Sequence, residues 1–349
     1  MAKIGAVYVG TVVGAGFASG QEVLRFFTAF GGAGTWGLAA AGLMFALFGW
    51  AAMEVGQAVG ARSHAEVVRA ILGPGLGPAL DWGITLFLYA IVVLMAAGAG
   101  AVFSEQYGLP AGWGSLVMIA AATGTVLFGF AGVVRSIAIV APALVAAVLL
   151  LGLLTVLGRP IPPAVLGAMP IAHAAAPAWP LASVLYVSFN LILALAVLGP
   201  LGADIDQAEA RAMGAWIGGV GLALAAAAIH LAILATWPES GRVDVPMLAV
   251  ARGVSPLAGA LYSGVLLAEV YTTAVSSLYG FSVRLFSGTG WGARIATLLA
   301  AGVAFGLSQV GFTRMVLTVL PAAGYAGLLL LAGLGWWMIT VWWQARAAA

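Results

Sequence analysis

Cysteine is absent from the 349 residues, which removes disulfides, thiolate metal sites, thiol nucleophiles and dithiol redox motifs together. Charge is almost as scarce: 7% of residues are Asp, Glu, Lys or Arg, against about 25% in a soluble domain. So few charges cannot cover a water-exposed surface of this size. The basic residues are scattered, so a net charge of +2 and a pI of ≈ 9.1 come without the clustered patch that nucleic-acid binding needs. No HExxH helix, Walker-type phosphate loop or close Ser, His and Asp set occurs. Zinc hydrolysis, ATP-driven work and triad chemistry therefore have no footing, and no enzyme activity is expected. The opening "MAKIGAVYVG" also lacks a small-residue cleavage pattern, so the first apolar run is read as retained.

What the chain has is apolar length. Hydrophobic residues make up 63% of it, mean hydropathy is +1.12, and runs of roughly 20 apolar residues, enough to cross about 30 Å of hydrocarbon, recur from end to end. Breaks of turn residues and charge divide these into about ten spans: 4–30, 35–60, 76–105, 112–132, 134–157, 180–203, 208–236, 256–285, 291–309 and 313–344. The expected fold is an all-α polytopic membrane protein forming a single transmembrane domain over 1–349. Lys3, Arg62, Arg69, Arg135, Arg211, Arg284, Arg294 and Arg346 fall on one side and Arg159, Arg242, Arg252 and Arg314 on the other. By the positive-inside rule both termini are cytoplasmic, in the cell's inner membrane. Five spans per half, about 1–158 and 178–349, put two similar halves in opposite orientations, the arrangement of an inverted repeat.

The first span contains "TVVGAGFASGQEVLRFF", with Gly14, Gly16 and Gly20 close together, then Glu22 and Arg25. Each glycine weakens a helix interior by about 1 kcal/mol relative to alanine. An unwound stretch at that depth is tolerated only where it lines a protected cavity, and it then offers carbonyls to a cation and a half-helix N-terminus to an anion. Small residues at helix contacts are the competing explanation. Ionisable groups at mid-bilayer cost a few kcal/mol and mark pathways or pairs, which makes Glu22 and Arg25 candidates for gating or proton relay. The corresponding sixth span has polar Ser188 and Asn190 at its centre and Pro200 near its end, and a second break is expected there. In the eighth span Glu269, Thr272, Thr273, Ser276 and Ser277 share a broad helical face; hydroxyls beside carbonyls suit a hard cation such as Na⁺, or bond to their own helix. His230 is a further relay candidate, with satisfaction by a neighbouring helix as its alternative. Tyr89 and Phe189 could wall a substrate pocket or simply pack.

The stretches "GAGFASGQE" in the first span, "AGAGAVFSEQYG" at the end of the third and "YVSFN" in the sixth resemble the YkvI-type membrane protein family, which is similar to the amino acid–polyamine–organocation superfamily with its LeuT-like five-plus-five inverted repeat and discontinuous helices 1 and 6. The resemblance implies a sodium ion between the first-helix break and the eighth helix. Ala15, Ala18 and Thr273 would supply carbonyls, and Ser276 and Ser277 hydroxyls. It also implies a substrate site at Gly14, Gly16, Phe17, Gly20, Glu22, Tyr89, Ser188, Phe189 and Asn190. Glu22 stands where sodium symporters carry an uncharged amide, which leaves it free to accept a proton or bind an amine.

The expected function is a cation-coupled secondary transporter, sodium favoured over protons, moving an amino acid or related amine by alternating access. No cofactor is expected beyond the coupling ion, and the partners are solute, cation and lipid bilayer. The alternative is a membrane ligand sensor resembling germinant-receptor subunits, binding such a solute without moving it. The lack of native cysteine makes the orientation easy to check. In intact cells Arg242→Cys should react with a membrane-impermeant maleimide, and Lys3→Cys and Arg346→Cys only after the cytoplasmic face is opened; the reverse pattern contradicts the orientation.

Overall fold

Backbone amides and carbonyls have no water partner in hydrocarbon, so a chain this apolar must close its hydrogen bonds within each segment. The computed structural model describes residues 1–128, 133–167, 174–285 and 290–347, and no strand occurs among the described residues. The helices are α1 (Ala2–Val12), α2 (Ala15–Ser19), α3 (Gln21–Phe26), α4 (Ala33–Val59), α5 (His64–Tyr107), α6 (Ala111–Phe128), α7 (Val133–Gly158), α8 (Trp179–Ala203), α9 (Ala208–Ala235), α10 (Pro246–Val254), α11 (Pro256–Leu285), α12 (Trp291–Ser308) and α13 (Phe312–Ala347). Among the described residues seven helices are long and apolar enough to cross a membrane, and shorter apolar helices stand at the first, fourth and fifth expected spans. The side chains of Arg135 and Arg346, used above for orientation, lie outside the described residues.

Two elements differ from expectation. The third span is not a simple crossing from 76. It is preceded by an arm from His64, started by a capping box in which Ser63 and Glu66 satisfy each other's backbone amides. The arm ends at Gly73, whose φ of +71° only glycine adopts readily; Pro74, with no amide to donate, then opens the membrane crossing. Arg284 of α11 reaches back to both His64 and Asp81, which are 3.2 Å apart, and so pins the arm to the span it precedes.

The sixth span, in contrast, is one continuous helix, α8, where a break was expected. It has no glycine before Gly199 to make unwinding cheap, and Pro200 sits in its last turn. Its central polar groups are satisfied without opening the backbone. The Ser188 hydroxyl donates to the Gly324 carbonyl at 2.7 Å, and the Asn190 amide donates to the Tyr186 carbonyl one turn back at 2.9 Å.

α8 lies between α4 and α13, α9 packs on α4 and α1, and α5 packs on α6, α11 and α13. Without a hydrophobic driving force between helices in lipid, close approach must come from small residues, and the α4–α8 seam illustrates it. A Cβ on Gly56 would stand 2.1 Å from the Gly199 carbonyl oxygen, and one on Gly202 2.1 Å from that of Met53. Near one end of the seam Arg211 of α9 grips Glu54 of α4 through two bonds of 2.7 and 2.9 Å. Gly202→Ala should therefore lower stability by about 1–3 kcal/mol, the usual cost of overpacking. Gly264→Ala, which meets nothing within 4 Å, should leave it unchanged or raised. Thermal unfolding in detergent checks both.

Candidate functional site

The first span is in three pieces. Its helical ladder stops where the Val13 amide donates to the Val9 carbonyl at 2.9 Å and resumes where the Ala18 amide donates to the Gly14 carbonyl at 2.9 Å. Between them Val13 (φ −70°, ψ 104°) and Gly14 (φ −122°, ψ −174°) are extended, so the last carbonyls of α1 and the first amides of α2 fall outside any helix. A second interruption follows at Gly20, which is left-handed with φ +81°. A side chain there would also meet Met247 of α10 at 2.9 Å. Ser19 bridges this joint, donating to the Gly16 carbonyl at 2.8 Å and accepting from the Gln21 amide at 3.1 Å.

Opened backbone needs shelter, and the sequence provides it. Val12, Val13, Phe17 and Ala18 are all buried, and α11 runs alongside α2. Thr273 Oγ1 lies 3.9 Å from where a Gly14 Cβ would be, so the break faces the hydroxyl-bearing side of the eighth span. On that helix Ser276 donates its proton to the Thr272 carbonyl at 2.7 Å and Thr272 its own to the Glu269 carbonyl at 3.0 Å. A hydroxyl whose proton is committed in this way still presents lone pairs to a cation. Ser277 is buried, and Glu269, also buried, interacts with Thr273 one turn on.

Glu22 folds back over the first break. A Cβ on Gly16 would stand 2.0 Å from its Oε1, so only glycine leaves space for the carboxylate there. Glu22 is 6% exposed, and among the described residues its Oε2 has no hydrogen-bonding partner. Tyr186 of α8 lies within its electrostatic reach, and among the described residues the buried Tyr186 hydroxyl makes no hydrogen bond of normal geometry, the Asn190 side chain standing near it. Rings close around them: Tyr186 to Phe189 at 5.4 Å, Phe26 to Tyr186 at 5.5 Å, Phe26 to Phe189 at 5.6 Å and Phe87 to Phe189 at 6.5 Å between centroids.

On the α10 side of the break a polar lock joins four elements. Gln21 donates to the Thr313 hydroxyl and Thr313 to the Asp244 carboxylate. The Asp244 and Val245 amides donate to Glu105 Oε1 at 2.6 and 3.2 Å, and Arg252 donates to the Glu105 carbonyl. Arg25 is drawn electrostatically to Asp244. Beyond the lock lies a cavity of ≈ 340 Å³ lined by Ser104, Glu105, Ser115, Arg242, Asp244 and Gln309 among others.

Several candidates are thus brought together: Gly14, Ala15, Gly16, Phe17, Gly20 and Glu22 on the broken span, Phe189 in the ring cluster, and Thr273 on α11, the helix that also carries Ser276 and Ser277. Others are not. Tyr89 points to the α5–α12 seam, its hydroxyl donating to the Ala300 carbonyl at 2.8 Å and its ring lying on Phe281. Ser188 spends its hydroxyl on α13, and Asn190 its amide on its own helix. His230 is held by the Thr28 and Thr35 hydroxyls at 2.9 and 3.2 Å, so that both ring nitrogens are satisfied within the core. The Ala18 carbonyl accepts from the Tyr262 hydroxyl, which occupies one of its two lone pairs. Tyr262, Tyr186, Phe26, Asp244 and Thr313 were missed by sequence reasoning. Phe26 is four residues beyond Glu22 and Tyr186 three before Phe189, so helical spacing could have found those two.

In comparison with known proteins, the membrane protein YkvI of Bacillus subtilis (strain 168) is 30% identical over 334 residues, 94% of this chain and 93% of its own length. YyaD of the same organism is 24% identical over 330 residues, 93% and 92% of the two chains. No protein-family model matches. Among solved structures, MhsT in complex with L-phenylalanine superposes with a TM-score of 0.66 at 14% identity, covering 93% of this chain and 87% of that one. The inward-facing conformation of Mhp1 gives 0.57 at 14%, with 92% and 74% covered. A mutant manganese transporter from Eremococcus coleocola gives 0.57 at 14%, with 95% and 77% covered. The fold is therefore that of a multi-pass helical membrane protein with LeuT-like five-plus-five architecture.

The fit of Glu22 onto Gly16 can be measured by a double-mutant cycle. Gly16→Ala should destabilise the wild-type chain more than the Glu22→Ala chain, with a coupling of about 0.5–3 kcal/mol; equal costs in both backgrounds would mean that the two do not touch.

Proposed function

The chain belongs to the YkvI family of membrane proteins, and from that premise we propose that it is a secondary transporter of a small organic solute, an amino acid or related amine, coupled to a cation gradient with sodium favoured over protons. The observation that carries this reading is the first span, opened at Val13–Gly14 inside the buried core and facing Thr273 of α11. Irregular backbone at membrane depth persists where it binds something, and carbonyls facing hydroxyls are the oxygen donors a hard cation takes. Groups that would suit sodium are the carbonyls that the end of α1 leaves open at the break, next to Ala15, with Thr273, Ser276 and Ser277 on α11. The ion's part would be to hold the broken span against α11.

Solute would then sit between the break, Glu22 and the ring cluster, with the lock at Gln21, Thr313, Asp244 and Glu105 closing one side of the path. With both termini cytoplasmic, that side is the outer one. Alternating access requires the lock to open while the opposite end closes. Two of the transporters with a similar fold are named for, or seen with, different cargo, manganese in one and L-phenylalanine in the other. Among the described residues no group of three His, Asp or Glu side chains converges as a metal cargo would favour, and the organic solute is the better match to the aromatic surroundings.

The test is uptake by the purified chain in proteoliposomes together with its sodium response. At equal ionic strength, sodium at about 100 times its dissociation constant should stabilise the chain by roughly 2.7 kcal/mol relative to potassium, and Ser276→Ala with Ser277→Ala should abolish the difference. Identical melting in the two salts removes the sodium site, and saturable binding without accumulation in vesicles makes the protein a sensor.

A further inference from the structure

In this fold a substrate carboxylate has an obvious berth, the amides that a broken helix leaves free. Here the chain's own acid is already beside it. Glu22 Oε1 fills the space over Gly16, so close that a Cβ on Gly16 would stand 2.0 Å away. Arg25, the basic residue of the first span, lies within electrostatic reach of Asp244. A second carboxylate brought by a ligand would face Glu22 across a buried site, and like charges so placed repel strongly.

The remaining valences ask for the opposite charge. Among the described residues, Glu22 Oε2 and the Tyr186 hydroxyl are both buried without a hydrogen bond of normal geometry, Asn190 standing near the hydroxyl, and both lie on residues more than nine-tenths covered. Phe26 follows Glu22 by one helical turn and meets Tyr186 and Phe189 at 5.5 and 5.6 Å, while Tyr186 and Phe189 stand perpendicular at 5.4 Å. One carboxylate oxygen and one phenol oxygen beside a cluster of three rings match an organic ammonium ion, which takes hydrogen bonds through its protons and attraction from aromatic π systems.

Building on the transporter reading, we propose that the substrate is a compact organic amine without a carboxylate of its own, its ammonium group held by Glu22 Oε2 and the Tyr186 hydroxyl against Phe26 and Phe189. Glu22 thus supplies within the chain the negative charge that an amino acid substrate would carry itself.

Matched pairs that differ by one carboxylate test this directly: isoamylamine with leucine, phenethylamine with phenylalanine, putrescine with ornithine. Binding is measured calorimetrically on the full chain in lipid nanodiscs with sodium present, and uptake in proteoliposomes. At least one amine should bind about tenfold or more tightly than its amino acid, and Glu22→Gln should weaken that amine by about tenfold or more. Tyr186→Phe, which keeps the ring, should weaken it severalfold while the melting temperature stays near wild type; it decides the matter should Glu22→Gln fail to fold. Amino acids that bind as tightly as their amines in every pair, or amine binding untouched by both variants, overturn the proposal. If those amino acids also accumulate in vesicles, the transporter reading survives alone; if no member of any pair binds or accumulates, both fall.

Discussion

Hydrocarbon offers a peptide group nothing to bond with, and that constraint governs this protein from its composition to its site. Each amide or carbonyl released from a helical ladder at membrane depth costs several kcal/mol unless another group takes it up. The chain meets the constraint with helices nearly everywhere and departs from it in the first span. There the ladder opens at Val13–Gly14 and turns left-handed at Gly20. The surrounding helices cover much of this opening: α11 approaches Gly14 through Thr273, and α10 presses Met247 on Gly20.

The cover depends on side chains that are small in some places and polar in others. Gly16 makes room for the Glu22 carboxylate, Ser19 bridges the joint at Gly20, and Tyr262 donates to the Ala18 carbonyl. These interactions leave a short list of polar atoms unsatisfied, Glu22 Oε2 and the Tyr186 hydroxyl among them. A buried polar group without a partner is costly, and its persistence beside an opened helix and a ring cluster gives the site its functional meaning. The lock of Gln21, Thr313, Asp244 and Glu105 adds a means of sealing it, since it joins the broken span to α5, α13 and the segment leading into α10.

Much of this was legible in the sequence. Apolar run length located the spans, because bilayer thickness sets a length that periodicity need not refine. The cluster of Gly14, Gly16 and Gly20 located the break, because cheap unwinding is a local property. The direction in which a side chain points around a fully apolar helix was not legible. Tyr89, Ser188 and His230 are polar at mid-membrane, as expected of site residues, yet each is spent on a neighbouring helix or loop that no local pattern names. The expected break in α8 failed for a related reason: polar residues at a span's centre can be satisfied across a helix seam, and without glycine beside them they do not open the backbone. The partnership of Tyr262 with Ala18 spans most of the chain and could only be seen in three dimensions.

Hydrogen–deuterium exchange in lipid nanodiscs probes the opened backbone most directly. Amides 14–17, lacking a ladder, should exchange faster than those of α4 around Phe45, and sodium with bound solute should slow them, since exchange reports local opening. Protection of 14–17 equal to that of α4 in every condition would mean an uninterrupted first helix and would contradict the account.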